Sequence, residues 1–140
     1  MRGETLVAKT ATCPKCKRTR TLKRLPPNFK CADIICDFCG YLAQVKAQRV
    51  SDVNTLPDRV LGAAWGPTRD RIDSAIYFPL FLVLVEKQGK AASVWYLAAD
   101  LQPPEMYVPR NALSARAKRT GWRGFLYDLR YVKDAFVRIS

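Results

Sequence analysis

Residues 13–48 read CPKCKRTRTLKRLPPNFKCADIICDFCGYLAQVKAQ, and this stretch decides the fold of the chain. It contains two C-x-x-C pairs separated by nineteen residues, followed by a strand-like run. Each C-x-x-C pair is typical of a knuckle, a tight turn that presents two thiolates on one side, and four such thiolates form the closed tetrahedral coordination of structural zinc. The predicted Zn²⁺ ligands are Cys13, Cys16, Cys36 and Cys39.

Two redox dithiols or two disulfides are the alternatives for these four cysteines. The N-terminal residues contain no signal-peptide apolar region, and no apolar run approaches the roughly 18 residues of a membrane span. We therefore expect a cytoplasmic protein with no membrane segment, and a reducing compartment favours metal over disulfides. A four-cysteine site has no open coordination position, so the zinc is expected to be structural. Cys31 has no knuckle partner and is predicted to be a small buried strand residue.

Polar residues alternate with apolar ones directly after the second knuckle. Tyr41–Val50 has the period of a half-buried strand, with Gln44 and Lys46 on one face. Asp33 precedes them on an apparent neighbouring strand. A carboxylate, an amide oxygen, the Val45 carbonyl and an ammonium group would suit one divalent cation and one phosphate, as metal-dependent phosphodiester hydrolysis requires. The alternative is the polar outer face of an edge strand.

The 24 Lys and Arg residues exceed the 12 Asp and Glu residues, and the resulting net charge of +12 is concentrated at the two ends of the chain. Residues 1–50 have a net charge of +8, residues 51–109 of −2 and residues 110–140 of +6. Two basic segments suit binding to a polyanion, although a well-solvated surface explains the same charges. The candidate DNA-binding residues are Lys17, Arg18, Arg20, Lys23, Arg24, Arg110, Arg116, Lys118, Arg119 and Arg123. For Trp122, packing on the sheet is preferred to contact with DNA.

The absence of histidine excludes Ser-His-Asp and Cys-His nucleophile systems, and no P-loop or GxGxxG motif occurs. We expect one domain over residues 1–140, with a zinc ribbon over residues 12–40 embedded in it. Residues 1–12 are expected to be a short frayed start. The predicted helices are Pro57–Ala64, a short one from Pro67 to Ile76, and a basic one over Arg110–Arg119.

An apolar hairpin is predicted for the middle of the chain. Pro79–Glu86 and Ser93–Ala98 are apolar on consecutive residues, which indicates the centre of a sheet with both faces covered. Further short strands are predicted for Phe29–Ile35, Phe125–Leu129 and Ala135–Ile139.

The order of these motifs resembles the catalytic domain of DpnI-type restriction endonucleases, a zinc-containing branch of the PD-(D/E)XK nuclease superfamily. In that family the catalytic acid stands three residues before the second knuckle, as Asp33 does here, and an E-x-K pair follows it by eleven and thirteen residues, as Gln44 and Lys46 do. GAAW at Gly62–Trp65 resembles the start of the family's next helix. The basic run within Tyr107–Leu129 resembles its Trp-containing segment.

The resemblance implies an α/β fold, a PD-(D/E)XK nuclease-like mixed sheet flanked by helices with an embedded four-cysteine zinc ribbon. It also implies a type II restriction endonuclease-like phosphodiesterase that acts on double-stranded DNA, depends on Mg²⁺ and is directed by methylation. Asp33, Gln44 and the Val45 carbonyl would hold the Mg²⁺, and Lys46 would position the water and stabilise charge on the phosphate.

The chain departs from the family pattern in three ways. Gln44 replaces the family's Glu, and the twelve residues before Cys13 leave the family's first helix nearly absent. The family's winged-helix domain has no counterpart in these residues, so a separate specificity subunit or a homodimer is expected. Two rival functions follow: a non-catalytic zinc-ribbon module that binds DNA, which is a decayed nuclease, or a zinc-stabilised protein-interaction subunit.

Overall fold

The computed structural model describes residues 2–26, 32–62, 65–110 and 124–140. The α-helices in these ranges are α1 (Arg2–Thr10) and α2 (Trp65–Asp73). The strands are β1 (Leu22–Arg24), β2 (Ile34–Cys36), β3 (Leu42–Val50), β4 (Arg59–Gly62), β5 (Leu80–Glu86), β6 (Ala92–Leu97), β7 (Tyr107–Pro109), β8 (Phe125–Asp128) and β9 (Val137–Arg138). Neither described helix is long and apolar enough to cross a membrane.

The strands form two sheets. The larger has six strands in the order β1-β2-β3-β5-β6-β9, and the smaller has three in the order β4-β8-β7. In the larger sheet β3 and β5 are parallel, and every other neighbouring pair is antiparallel. The predicted mixed α/β sheet is therefore confirmed.

Strand β5 is buried on both faces, as its uninterrupted apolar sequence predicts. Leu80, Leu82 and Leu84 point into a core shared with the smaller sheet. The alternate residues Phe81 and Val83 point into a second core with α1 and the cysteines. Since β5 and β6 pair in antiparallel register, the predicted central hairpin is also confirmed.

The prediction of a helix over Pro57–Ala64 is wrong, because its described residues contain strand β4. Val60 is buried opposite Tyr127 of β8, whereas Leu61 is exposed, so the segment has the two-residue period of a strand. Gly62 lies directly against the Phe125 ring, where an added Cβ atom would be 2.3 Å from the nearest ring carbon. This close approach explains why glycine ends the strand.

The expectation of a frayed N-terminus without the first helix is also wrong. Residues Arg2–Thr10 form α1, which buries Val7 completely. Gly3 allows the helix to approach β3 closely, since an added Cβ would lie 3.2 Å from the Ala47 Cβ. Nine residues are too few for a helix that is stable alone in water, so packing on the sheet stabilises α1.

The remaining predictions are partly confirmed. Helix α2 begins at Trp65 rather than Pro67, which lies in its first turn, where a missing N–H is tolerated. Strands β8 and β9 match the predictions for the C-terminal part of the chain. The predicted helix over Arg110–Arg119 and residues 29–31 of the predicted strand lie outside the described residues, except for Arg110 itself.

A pair of glycine substitutions tests the position of β4. Gly62→Ala is expected to lower the free energy of unfolding by about 1–3 kcal/mol, because the new methyl group overlaps the Phe125 ring. Gly66→Ala is the matched control. A Cβ at Gly66 meets no heavy atom within 4 Å, and the residue is helical, so this change should be neutral or stabilising by up to about 1 kcal/mol. Denaturant unfolding measures both, and equal stabilities would contradict the β4–β8 contact.

Candidate active site and metal centre

The four cysteine sulfurs form one cluster, in which all lie within 4.8 Å of one another. Cys13 Sγ is 3.6 Å from Cys39 Sγ, and Cys16 Sγ is 3.7 Å from Cys36 Sγ, so the close pairs join the two knuckles. Zinc–sulfur bonds of about 2.3 Å in a tetrahedron place the sulfurs about 3.8 Å apart. The four cysteines are free rather than bonded to each other. They therefore form a site whose size and ligand type fit zinc.

The two knuckles have the same backbone plan. The residue after the second cysteine of each pair adopts a left-handed conformation, with φ of 64° at Lys17 and 79° at Gly40. Its N–H donates a hydrogen bond to the carbonyl of the first cysteine of its own pair, at 2.9 Å in both cases. This turn directs both side chains of a pair to one side. Glycine suits this conformation at Gly40, whereas Lys17 adopts it despite its Cβ.

The surroundings of Cys36 favour its thiolate, the form that binds metal. Burial raises the pKa of this thiol, but hydrogen bonds from the Thr21 hydroxyl and from the backbone N–H groups of Cys39 and Phe38 outweigh burial and lower the pKa to about 6. The Thr21 Oγ1 lies 3.2 Å from the sulfur. The cluster is thus prepared for a cation by its own hydrogen bonds.

Asp33 is held against β3 through its carboxylate. Its N–H donates to the Ala43 carbonyl at 3.0 Å, and its Oδ2 accepts from the Val45 N–H at 2.8 Å. Asp33 therefore bonds to the residues on either side of Gln44, namely Ala43 and Val45. In an antiparallel pair the N–H and C=O of one residue point to the same edge of the strand. The Val45 carbonyl is therefore directed to the same edge of β3 as the Val45 N–H, which bonds to Asp33.

Gln44 and Lys46 project from β3 on the face that meets the smaller sheet. In the parallel register they are the neighbours of Leu80 and Leu82, which belong to the core shared with that sheet. Both side chains are half-buried. Among the described residues neither side chain has a hydrogen-bond or ion-pair partner, so their polar ends face solvent.

Two tyrosines of the smaller sheet, one on β7 and one on β8, pack against each other. The rings of Tyr107 and Tyr127 are 5.4 Å apart. Burial raises the pKa of Tyr127; the negative charge of Asp33 raises it further, and the positive charge of Arg71 opposes the rise. Arg71 opposes the effect of burial on the pKa of Tyr107 as well. Arg71 therefore acts electrostatically on both tyrosines, whereas Asp33 acts on Tyr127 alone of the two.

Arg71 reaches this region from α2. Its Nη2 lies 3.4 Å from Thr68 Oγ1, and its Cζ lies 6.0 Å from the centre of the Phe78 ring. Thr68 is buried and Arg71 half-buried, so this side of the helix faces the protein. Within the described residues no carboxylate lies within 4.0 Å of the Arg71 guanidinium. Its charge is thus not neutralised by a near acid there.

A hydrogen-bonded chain fixes the start of β5 next to Gln44. The buried Gln102 accepts a hydrogen bond from the Tyr107 hydroxyl and donates one from Nε2 to the Phe78 carbonyl at 2.8 Å. The next carbonyl, that of Pro79, accepts from the Gln44 N–H at 2.8 Å. The backbone of Gln44 is thereby tied to the smaller sheet through Tyr107.

The predicted DNA-binding residues divide into three groups. Five are exposed on the ribbon: Lys17, Arg18, Arg20, Lys23 and Arg24. Arg110 is exposed at the end of β7. Arg116, Lys118, Arg119 and Arg123 lie outside the described residues, as do Trp122 and Cys31.

The sheet places Asp33 and the strand that carries Gln44 and Lys46 next to the four-cysteine cluster, so the residues on which the resemblance rests lie in one region of the fold. Residues 1–139 match the family described as DpnI: Dam-replacing family, and the chain belongs to that family. The resemblance to DpnI-type endonucleases is thereby confirmed, and with it a nuclease of the restriction type whose substrate class is DNA. No curated protein matches the chain.

Sequence reasoning missed the contribution of Arg71 and of the two tyrosines. Arg71 stands among Asp70 and Asp73 in a polar helix, so its sequence context indicates only a solvated face. Tyr107 and Tyr127 belong to strands that pair across a separation of twenty residues. No local pattern shows that Arg71 acts electrostatically on these two tyrosines, or that Tyr107 is linked through Gln102 to the start of β5.

Zinc content and its response to substitution test the cysteine site. We expect about one zinc per chain by elemental analysis, lost together with the folded ribbon when Cys36→Ser removes one of four thiolates. Cys31→Ser is the control and should leave zinc content unchanged, because Cys31 is outside the knuckle motif. Mass analysis that finds disulfides among the four cysteines in the native protein would contradict the site.

Proposed function

We propose that this chain is a Mg²⁺-dependent DNA endonuclease whose active site is formed by Asp33, Gln44, the Val45 carbonyl and Lys46. The observation that supports this most directly is the half-buried pair of Gln44 and Lys46. Their side chains have no partner among the described residues, although they lie beside an apolar core and the anchored carboxylate of Asp33. Because both side chains are half-exposed and no protein group occupies their polar ends, they are free to bind a ligand at this position.

The oxygens at this position fit a hard cation. Asp33 uses Oδ2 to accept the Val45 N–H, and in the described part of the chain its Oδ1 accepts no hydrogen bond. The Asp33 carboxylate, the Gln44 amide oxygen and the Val45 carbonyl would hold Mg²⁺, which prefers oxygen ligands. When bound, the ion supplies charge stabilisation at the phosphate and lowers the pKa of a coordinated water.

The cationic side chains have separate roles in this proposal. The Lys46 ammonium, adjacent to the metal ligands on β3, orients the attacking water and stabilises the charge that builds on the phosphate. Arg71 approaches from α2 and provides a second cation for a phosphate oxygen, which a guanidinium suits by its paired donors. Tyr107 and Tyr127 stay neutral at physiological pH, because burial raises the pKa of both, so they are hydrogen-bond donors rather than bases.

Further details belong to the same proposal. Direction of cleavage by DNA methylation, a separate specificity subunit or a homodimer, and a cytoplasmic location follow from the resemblance and the sequence. A single domain over residues 1–140 likewise stays a prediction. Each is compatible with the family of the chain.

The second candidate is a non-catalytic zinc-ribbon module that binds DNA. It is favoured by the neutral Gln44, which leaves Asp33 as the only carboxylate in the proposed ligand set. Apart from the cysteines, the described residues contain no group of three or more metal-binding side chains. A neutral amide holds Mg²⁺ more weakly than a carboxylate.

Cleavage of plasmid DNA tests the nuclease proposal. With Mg²⁺ or Mn²⁺ we expect the native chain to cut, and Asp33→Ala and Lys46→Ala each to lower the rate by about 100-fold or more, since each removes a group that acts on the transition state. Methylated and unmethylated plasmids should be compared. Zinc content and the unfolding midpoint of each variant serve as controls, because a lost fold would also abolish cleavage.

Gln44→Glu discriminates between the two candidate functions. In a working site the added carboxylate should maintain or raise activity and lower the Mg²⁺ concentration needed. If only Gln44→Glu cuts and the native chain does not, the natural protein is a binding module. If neither Gln44→Glu nor Lys46→Ala changes an observed cleavage, the β3 face is not the active site.

Arg71→Gln tests the second cation. We expect the rate of cleavage to fall by about 10- to 100-fold with zinc content and stability unchanged, because the guanidinium serves the phosphate and not the fold. Arg69→Gln is the matched control, since Arg69 lies on the same helix but is exposed. Equal effects of the two substitutions would indicate that Arg71 acts only by attracting DNA through its positive charge.

A further inference from the structure

Among its described residues the zinc ribbon has one exposed aromatic ring, which lies within a cationic surface. Phe38, between Cys36 and Cys39, is 60% exposed, and the guanidinium of Arg18 from the opposite knuckle lies over it, with Cζ 3.8 Å from the ring centre. Single exposed apolar residues are common and need no explanation by themselves. The surroundings of this ring are what distinguish it.

The surface around the ring is basic. Residues 15–24 contain six Lys and Arg residues and no Asp or Glu, and all six are exposed. Asp37 is the neighbouring acid, and it lies 3.9 Å from Lys23. Among the described residues no carboxylate lies within 4.0 Å of Arg18. An apolar protein partner would have to desolvate these charges, whereas a polyanion neutralises them.

The ring is also held firmly. Cys36 and Cys39, on either side of Phe38 in the sequence, belong to the sulfur cluster, and the Gly40 N–H closes the turn on the Cys36 carbonyl. A ring fixed on a rigid turn loses little conformational entropy when it contacts a ligand. A fixed aromatic ring beside an unneutralised guanidinium suits the planar bases and the sugars of nucleic acid.

We infer that Phe38 and Arg18 form a groove-contacting element of the zinc ribbon, in which the Phe38 ring packs on sugars and bases of DNA while the surrounding lysines and arginines contact phosphates. This inference rests on DNA as the substrate, as proposed above. Apolar side chains of this size act as wedges between base steps in other DNA-binding surfaces. On this inference the ribbon has two functions: it positions the strands of the proposed active site, and it binds DNA.

Fluorescence anisotropy with a labelled duplex, without added Mg²⁺, tests the inference on the full chain. Phe38→Ala should weaken binding by roughly tenfold or more, because base–aromatic contact is lost. The slope of log affinity against log salt should stay unchanged, because no phosphate contact is removed. Arg18→Ala should weaken binding and reduce the magnitude of this slope by about one.

Tyr131→Ala is the matched control. Tyr131 is 87% exposed and also has an arginine near its ring, with Arg130 Cζ 5.5 Å from the centre. Arg130 is paired with Asp128 at 2.8 Å, however, so the charge beside this ring is neutralised. Tyr131→Ala should leave affinity unchanged. Equal affinities of Phe38→Ala and the native chain would overturn the inference, and so would equal losses in both aromatic variants.

Two further measurements keep the result clear. Phe38→Leu keeps an apolar side chain on the turn but removes the aromatic ring, so it should hold zinc yet bind DNA more weakly than the native chain. If both variants lose zinc, the experiment is done on the native chain. Photocrosslinking to a duplex with 5-iodouracil should attach the peptide that contains Phe38, and crosslinks confined to other peptides would overturn the inference.

The outcomes for the two proposals differ. A native chain that binds DNA without cutting it would contradict the nuclease proposal alone, whereas a chain that binds no duplex would overturn both.

Discussion

The contact between the two cysteine knuckles determines where the residues of the proposed active site lie. The Cys13–Cys39 and Cys16–Cys36 sulfur pairs join the segment before β1 to the turn between β2 and β3. This junction fixes the short strand β2, which has only three residues and forms few ladder bonds of its own. Asp33 directly precedes that strand, so the sulfur cluster indirectly holds its carboxylate against the Val45 N–H. A structural metal can thus serve chemistry without touching the substrate.

The proposed site also requires two polar side chains at the edge of an otherwise apolar core. Strand β5 buries both of its faces, and β3 lies parallel to it with Gln44 and Lys46 on the inner side. Placing an amide and an ammonium group there costs free energy unless they are hydrogen-bonded or solvated. The half-exposed position limits this cost, and it also leaves the two side chains accessible to a ligand. In the proposed active site, stability and function would make opposite demands on these two residues.

Much of this arrangement could be predicted from the sequence, because its signals are local. The spacing of Cys13, Cys16, Cys36 and Cys39 indicates the cluster, and the alternation in Tyr41–Val50 indicates β3 and the shared face of Gln44 and Lys46. The positions of β4 and α1, in contrast, depend on tertiary contacts that no local pattern shows. Strand β4 has four residues and pairs with β8 more than sixty residues away, so its apolar residues were mistaken for one side of a helix. Helix α1 is too short to be stable alone and depends on the close approach at Gly3.

The balance of charge in the proposed site has a consequence for how it would bind its ligands. Asp33 contributes one negative charge, whereas Lys46 and Arg71 contribute two positive charges, and Gln44 is neutral. By itself such a site attracts a phosphate more strongly than a divalent cation. A bound phosphodiester adds negative oxygens, which compensate for the carboxylate missing at Gln44 and improve the site for Mg²⁺. Binding of DNA and binding of metal would then strengthen each other by the same factor, as linkage requires. On this view the substitution at Gln44 makes metal binding depend on the presence of substrate.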